Sequence, residues 1–169
     1  MSNQLQQIIS DTQTSLRSNP ELGKTIFNSR SALKEGFHSE VNLRQHQITV
    51  DEPPILGGTD QGPNPVELIL AALGTCQEIT YRAYATALGI PLESVSVELE
   101  GELDLRGFFA VNDQVRAGYQ QINGTVRLQS SASAEKLRQL RDVVNAHCPV
   151  LDILTNPVPV KLDLRIVHN

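Results

Sequence analysis

Two cysteines carry the clearest chemistry in the sequence. Cys76 closes the run Asn64-Pro-Val-Glu-Leu-Ile-Leu-Ala-Ala-Leu-Gly-Thr-Cys76, and Cys148 lies in His147-Cys148-Pro-Val-Leu-Asp-Ile-Leu154. No other residue offers an equally clear nucleophile. A thiol attacks as its thiolate, so a nearby cation or a helix N-terminus should favour ionisation. Cys76 lies about eleven residues into an apolar helical run, beyond the reach of that helix's N-terminal dipole. Cys148 precedes Pro149, which fits the first position of another helix, and that dipole would make Cys148 the more easily acidified thiol. In a reducing compartment two such cysteines do not form a structural framework, and a bond between them would be transient and catalytic. The plainer alternative is that both are small buried hydrophobes.

The elements that must position these thiols follow from periodicity. Residues 3–17 carry Leu5, Ile8, Ile9 and Leu16 among polar neighbours, the pattern of an amphipathic helix that Asn19-Pro20 ends. Residues 25–33 and 37–44 read as a β-hairpin around Lys34-Glu35-Gly36, with a third short strand at 47–50. Residues 51–65 hold Pro53-Pro54, Gly57-Gly58 and Gly62-Pro63 and read as loop. The Cys76 helix is expected over 64–88, with Asn64 as N-cap, Pro65 at the first position and Gly89-Ile-Pro91 as the stop. Ile69 to Leu73 leave little polar surface, so this helix is expected to be buried nearly all round.

Alternation predicts strands over 95–105, 121–128 and 158–167, and helical spacing predicts helices over 133–146 and 149–154, with 106–119 as a longer connection. The order is α+β, without internal repeats or a second domain.

The 169 residues suffice for one domain with a core, and the net charge of -5 without a basic block argues against nucleic acid or anionic membrane as partner. The first residues lack the pattern of a signal peptide, and no apolar stretch reaches membrane-spanning length, so a cytoplasmic protein is expected. Asn123-Gly-Thr125 matches a glycosylation sequon, without consequence outside a secretory route.

Three stretches resemble the OsmC/Ohr family (osmotically inducible protein C and organic hydroperoxide resistance proteins). They are Gly57-Gly-Thr-Asp-Gln-Gly-Pro-Asn-Pro-Val-Glu-Leu68, the Ala-Ala-Leu-Gly-Thr-Cys76 that follows it, and Cys148-Pro-Val-Leu151. The resemblance covers residues 24–167, closes on the strand Val158-Pro-Val-Lys-Leu-Asp-Leu164, and leaves residues 1–23 as an N-terminal helical extension. It implies antiparallel sheets around a buried cysteine helix in an intertwined homodimer, with active sites at the interface. It further implies reduction of organic or inorganic hydroperoxides without a cofactor. Cys76 would be the peroxidatic cysteine that becomes a sulfenic acid, Cys148 the resolving cysteine, and an external dithiol the reductant.

The family pattern also calls for a hairpin arginine, oriented by a glutamate ten residues before the first cysteine. Here Val66 is ten before Cys76 and Glu67 is nine before, as in a Pro-x-Glu branch of the family. Nine residues turn a helix by roughly 900°, placing Glu67 on the face opposite Cys76. Glu67 also has the plainer role of complementing the helix N-terminus. Lys34 occupies the hairpin tip, so Arg44, at the end of the second strand, is the candidate arginine, against a plain reading as an exposed strand-end charge. Arg30, Arg106 and Arg116 are further cations. Zinc held by Cys76, Cys148, His147 and His46 is a minor alternative, since only His147-Cys148 is a compact set. Gly57 to Gly62 lacks the lysine of a phosphate loop. The rival from another class is a non-catalytic dimer of the same fold that senses redox state or binds an apolar molecule, with Phe108, Phe109 and Tyr119 lining its pocket.

Overall fold

The computed structural model describes residues 2–168. Helix α1 (Ser2–Ser18) ends at a short 3-10 turn, Pro20–Gly23, capped by the Asn19 side chain. Strands β1 (Arg30–Leu33), β2 (Ser39–Leu43) and β3 (His46–Val50) form an antiparallel meander. The β1–β2 turn falls at the predicted Lys34-Glu35-Gly36, where Gly36 takes a positive φ of 58°, the Lys34 amide donates to the His38 carbonyl and the His38 amide to the Glu35 carbonyl. The first strand is shorter than expected: residues 25–29 join no strand, and Ile26 and Phe27 are more than four-fifths exposed.

Helix α2 (Pro65–Ala87) begins where the sequence predicts. Asn64 accepts from the Glu67 amide at 2.9 Å, and the Glu67 carboxylate accepts the Asn64 amide at 2.8 Å, which closes a capping box. Gly89, at φ 63°, terminates the helix. Strands β4 (Ser94–Leu103) and β5 (Tyr119–Gln129) form a long antiparallel pair. β4 alternates as predicted, with Val95, Val97 and Leu99 turned inward and Ser96, Glu98 and Glu100 outward. Their connection contains the single helical turn α3 (Leu105–Phe108). Helices α4 (Ala134–His147), capped by Ser133, and α5 (Pro149–Thr155) follow.

The core is where α4 lies on α2: Tyr81, Ala85, Leu92, Leu140 and Val144 are buried, with Val95, Leu128 and Leu137 around them. Each fully buried side chain of this size contributes about 1.5–3 kcal/mol. Two expectations fail within the chain. Residues 158–167 form no strand, because no strand of the same chain lies beside them, and Leu162 and Leu164 are 91% and 86% exposed. Helix α2 is buried on one face only: Leu73, Gln77, Thr80 and Tyr81 are covered, while Ile69 and Ile79 are 40% and 69% exposed. The β1–β3 meander likewise makes no substantial packing contact with any helix or with the β4–β5 pair.

Candidate active site

The structure brings the two cysteines together. Cys148 Sγ lies 3.3 Å from Cys76 Sγ, although 71 residues separate them in sequence. α4 lies along α2, so its C-terminal residue His147 stacks on Tyr84 of α2 with ring centroids 5.4 Å apart, and the following residue, Cys148, faces Cys76. Cys148 is the single extended residue between α4 and α5, with φ -79° and ψ 112°, and Pro149 opens α5 as its position suggested. A disulfide needs sulfurs about 2.05 Å apart, so bond formation requires only about 1.3 Å of approach.

The thiols are not equivalent. Cys148 is fully buried, whereas Cys76 is half-buried. Burial is the main cause that pushes the Cys148 thiol above its ordinary value of 9.0, and the contact with Cys76 adds to it. The amides of Leu151 and Val150 at the start of α5 pull the other way but do not prevail. The expectation that Cys148 is the more easily acidified thiol is therefore overturned: desolvation outweighs the dipole of a seven-residue helix. Cys148 donates to Cys76 Sγ, and Cys76 is the more exposed sulfur of the two.

The other predicted residues stand elsewhere in the single chain. Glu67 is occupied by the capping box, its plainer role. Arg44 sits in the tight turn between β2 and β3 with a positive φ of 56° and joins no salt bridge among the described residues. No arginine or lysine of the same chain donates to Cys76 Sγ among the described residues. Arg106 is paired with Asp104 at 2.5 Å. Phe108 and Phe109 pack edge-to-face on each other, exposed, whereas Tyr119 lines a pocket.

That pocket, about 510 Å³, is open and adjoins the dithiol: it is lined by Leu73, one helical turn before Cys76, and by Leu151, one turn after Cys148. The Tyr119 hydroxyl donates to the Val66 carbonyl at 2.9 Å and so ties β5 to the start of α2. Burial, and secondarily the charge of Glu67, pushes this phenol up.

Sequence reasoning missed the residue that orders the loop before α2. Asp51 is buried and accepts from the Thr59 hydroxyl at 2.6 Å and from the amides of Glu52, Thr59 and Gln61 at 2.8, 3.1 and 3.3 Å. The Thr59 hydroxyl leads these bonds in lowering its carboxyl to about 2, against the opposing effect of burial. The loop folds so tightly on itself and on β3 that a Cβ at Gly58 would stand 1.8 Å from the Glu52 carbonyl oxygen, and one at Gly62 2.3 Å from that of Thr49. The signal was present as an acid closing a strand ahead of a glycine-rich loop. The loop delivers Asn64 to its capping position.

The family model for OsmC-like proteins matches residues 58–163, which include the second half of this loop, both cysteines and every element between them. The chain belongs to the OsmC-like family. Solved structures share its fold. An OsmC-like protein from Mycoplasma pneumoniae, 21% identical, matches 79% of this chain and 90% of its own with a TM-score of 0.69. An organic hydroperoxide resistance protein OsmC from Legionella pneumophila, 19% identical, matches 78% of this chain and 91% of its own with a TM-score of 0.57. An organic hydroperoxide resistance protein from Elizabethkingia anophelis, 16% identical, matches 79% and 92% with a TM-score of 0.57. No curated protein matches the chain. The mixed fold of antiparallel sheets and helices in this OsmC-like chain is therefore the family's fold, and among the described residues no helix is long and apolar enough to cross a membrane.

Proposed function

We propose that this OsmC-like chain is a dithiol hydroperoxide reductase acting in oxidative-stress defence in the cytoplasm. The observation that carries the reading is the pair of sulfurs 3.3 Å apart, one partly exposed and one buried. The Cys76 thiolate attacks the distal oxygen of a hydroperoxide. The O–O bond breaks, the alcohol leaves after taking a proton, and Cys76 becomes a sulfenic acid. The Cys148 sulfur then attacks that sulfenic sulfur, water leaves, and the disulfide forms. An external dithiol returns both thiols by exchange, taking the oxidation onto its own sulfurs. No cofactor is needed in this cycle.

The working unit in this reading is an intertwined homodimer. A compact monomer of this length exposes about 8,200 Å², and the single chain exposes 13049 Å². A standard contact covers only about 800 Å² per partner, so the excess calls for exchanged elements. The unpaired apolar stretch 158–167, the uncovered face of α2 and the unpacked meander are the surfaces a second copy would cover. The same exchange would carry the meander, with Arg44 or Arg30, to the partner's thiol. A second reading, redox sensing or ligand binding without turnover, rests on Cys148 being the one hydrogen-bond partner of Cys76 Sγ among the described residues.

Peroxide consumption by wild type, Cys76→Ser and Cys148→Ser under a dithiol reductant separates the two readings. The peroxidase reading expects Cys76→Ser to be inert and Cys148→Ser to lose sustained turnover. Equal rates in all three proteins would end the catalytic claim.

A further inference from the structure

A second cleft lies between α4 and β5, and its lining shares only Gly124 with that of the pocket beside the dithiol. Its volume of about 410 Å³ is in the range of small-molecule sites. One wall is apolar: Val126 and Leu128 stand at alternate positions of β5, and Leu137 faces them from α4. Arg127, between the two β5 residues, belongs to the opposite face of the sheet, where it pairs with Glu98. The other wall is polar. Arg138, Arg141 and Asn145 recur at spacings of three and four along α4 and so share one helix face. Tyr81 reaches the same cleft from α2. It is 1% exposed, and its hydroxyl makes no hydrogen bond among the described residues. Burial pushes this phenol up, against the pull of Arg141, so it keeps its proton and can donate.

Two guanidiniums, a carboxamide and a phenol therefore offer donors to one space, and no acid lines it among the described residues. Arg138 joins no ion pair among the described residues. Arg141 pairs with its neighbour Asp142 at 2.7 Å, but both side chains are more than half exposed. An exposed pair of this kind is weak, so an anion in the cleft can draw Arg141 away from it. A phosphate monoester carries about two negative charges and three terminal acceptor oxygens, which matches two guanidiniums and two neutral donors better than a carboxylate does. We infer that this cleft binds a phosphate monoester of an apolar alcohol, with the phosphate on Arg138 and Arg141 and the apolar group against Val126, Leu128 and Leu137. Asn145 and the Tyr81 hydroxyl donate to the remaining oxygens. The site takes no part in thiol chemistry and does not rest on the peroxidase reading. None of its residues lies in the meander or in the stretch 158–167.

Calorimetry on the reduced full-length protein tests this, with phenyl phosphate as the probe. Inorganic phosphate, phenol and benzoate serve as the anion alone, the ring alone and a singly charged counterpart. Phenyl phosphate should bind at least about tenfold more tightly than any of them. Arg138→Ala and Arg141→Ala should each weaken its binding about tenfold, and Tyr81→Phe, which keeps the ring in the core, about threefold. Both arginines are exposed, so their removal leaves the core intact. Cys76→Ser should bind phenyl phosphate as wild type does, which separates this cleft from the pocket beside the dithiol. A wild type that binds no phenyl phosphate, or binds inorganic phosphate equally well, overturns the assignment. Unchanged affinity in both arginine variants, or loss of binding in Cys76→Ser, overturns it as well.

Discussion

Cys148 is held neutral by its place in the packing. Its sulfur lies beneath α5 and against Cys76, and the cost of ionising a desolvated thiol exceeds what the short helix returns. This suits the resolving role proposed for it, in which it would wait as a thiol until Cys76 is oxidised. It also makes stability depend on pH with a definite sign. Above about pH 9 an unfolded thiol gives up its proton while the folded one keeps it. The stabilisation is therefore complete below that pH and is lost as pH rises through the higher folded value. Under reducing conditions, denaturant unfolding between about pH 8 and pH 10 should show wild type losing stability faster than Cys148→Ser, by up to about 1.4 kcal/mol per pH unit. Identical losses in the two proteins would show that the thiol is not desolvated.

The segment from Asp51 to Asn64 is the element on which the site depends. Asp51 gathers three amides and one hydroxyl, two close glycines let the chain fold back on β3, and Asn64 then caps α2. With its folded carboxyl at about 2 against an ordinary 3.8, Asp51 stabilises the fold above pH 3.8, and that contribution disappears as pH falls toward 2. Thermal unfolding of Asp51→Asn should start from a lower Tm at neutral pH and fall less steeply than wild type between pH 4 and pH 2. Parallel acid limbs would contradict this.

The sequence made the helices legible through their caps and stops: Asn64, Pro65, Gly89, Ser133 and Pro149 each sit where their chemistry predicts. The α+β order and the two cysteine segments were equally clear. Asp51 was not, because a carboxylate solvated at a strand end and one clasped by a loop have the same spelling. The fate of Cys148 was misjudged for a related reason: the dipole can be read from Pro149, but burial cannot. Val66 marked a departure from the family pattern without revealing that its carbonyl, not its side chain, makes the contact with Tyr119.

At the scale of the molecule, one chain leaves its own signals unanswered. The alternation of Val158, Val160, Leu162 and Leu164 is that of a strand, yet all four are more than half exposed. In a monomer, replacing Leu162 and Leu164 by aspartate would change stability by no more than about 0.5 kcal/mol each. In the proposed dimer each change removes burial worth about 1.5–3 kcal/mol. Sedimentation should therefore find wild type dimeric and the double variant largely monomeric; a monomeric wild type would refute the dimer.

The chemical claim is tested most directly by one stoichiometric addition of organic hydroperoxide to reduced protein, followed by mass spectrometry with a sulfenic-acid trap. Wild type should form a Cys76–Cys148 disulfide, and Cys148→Ser should carry the trap on Cys76 alone. A wild type that remains fully reduced while Cys148→Ser takes up no trap would contradict the account.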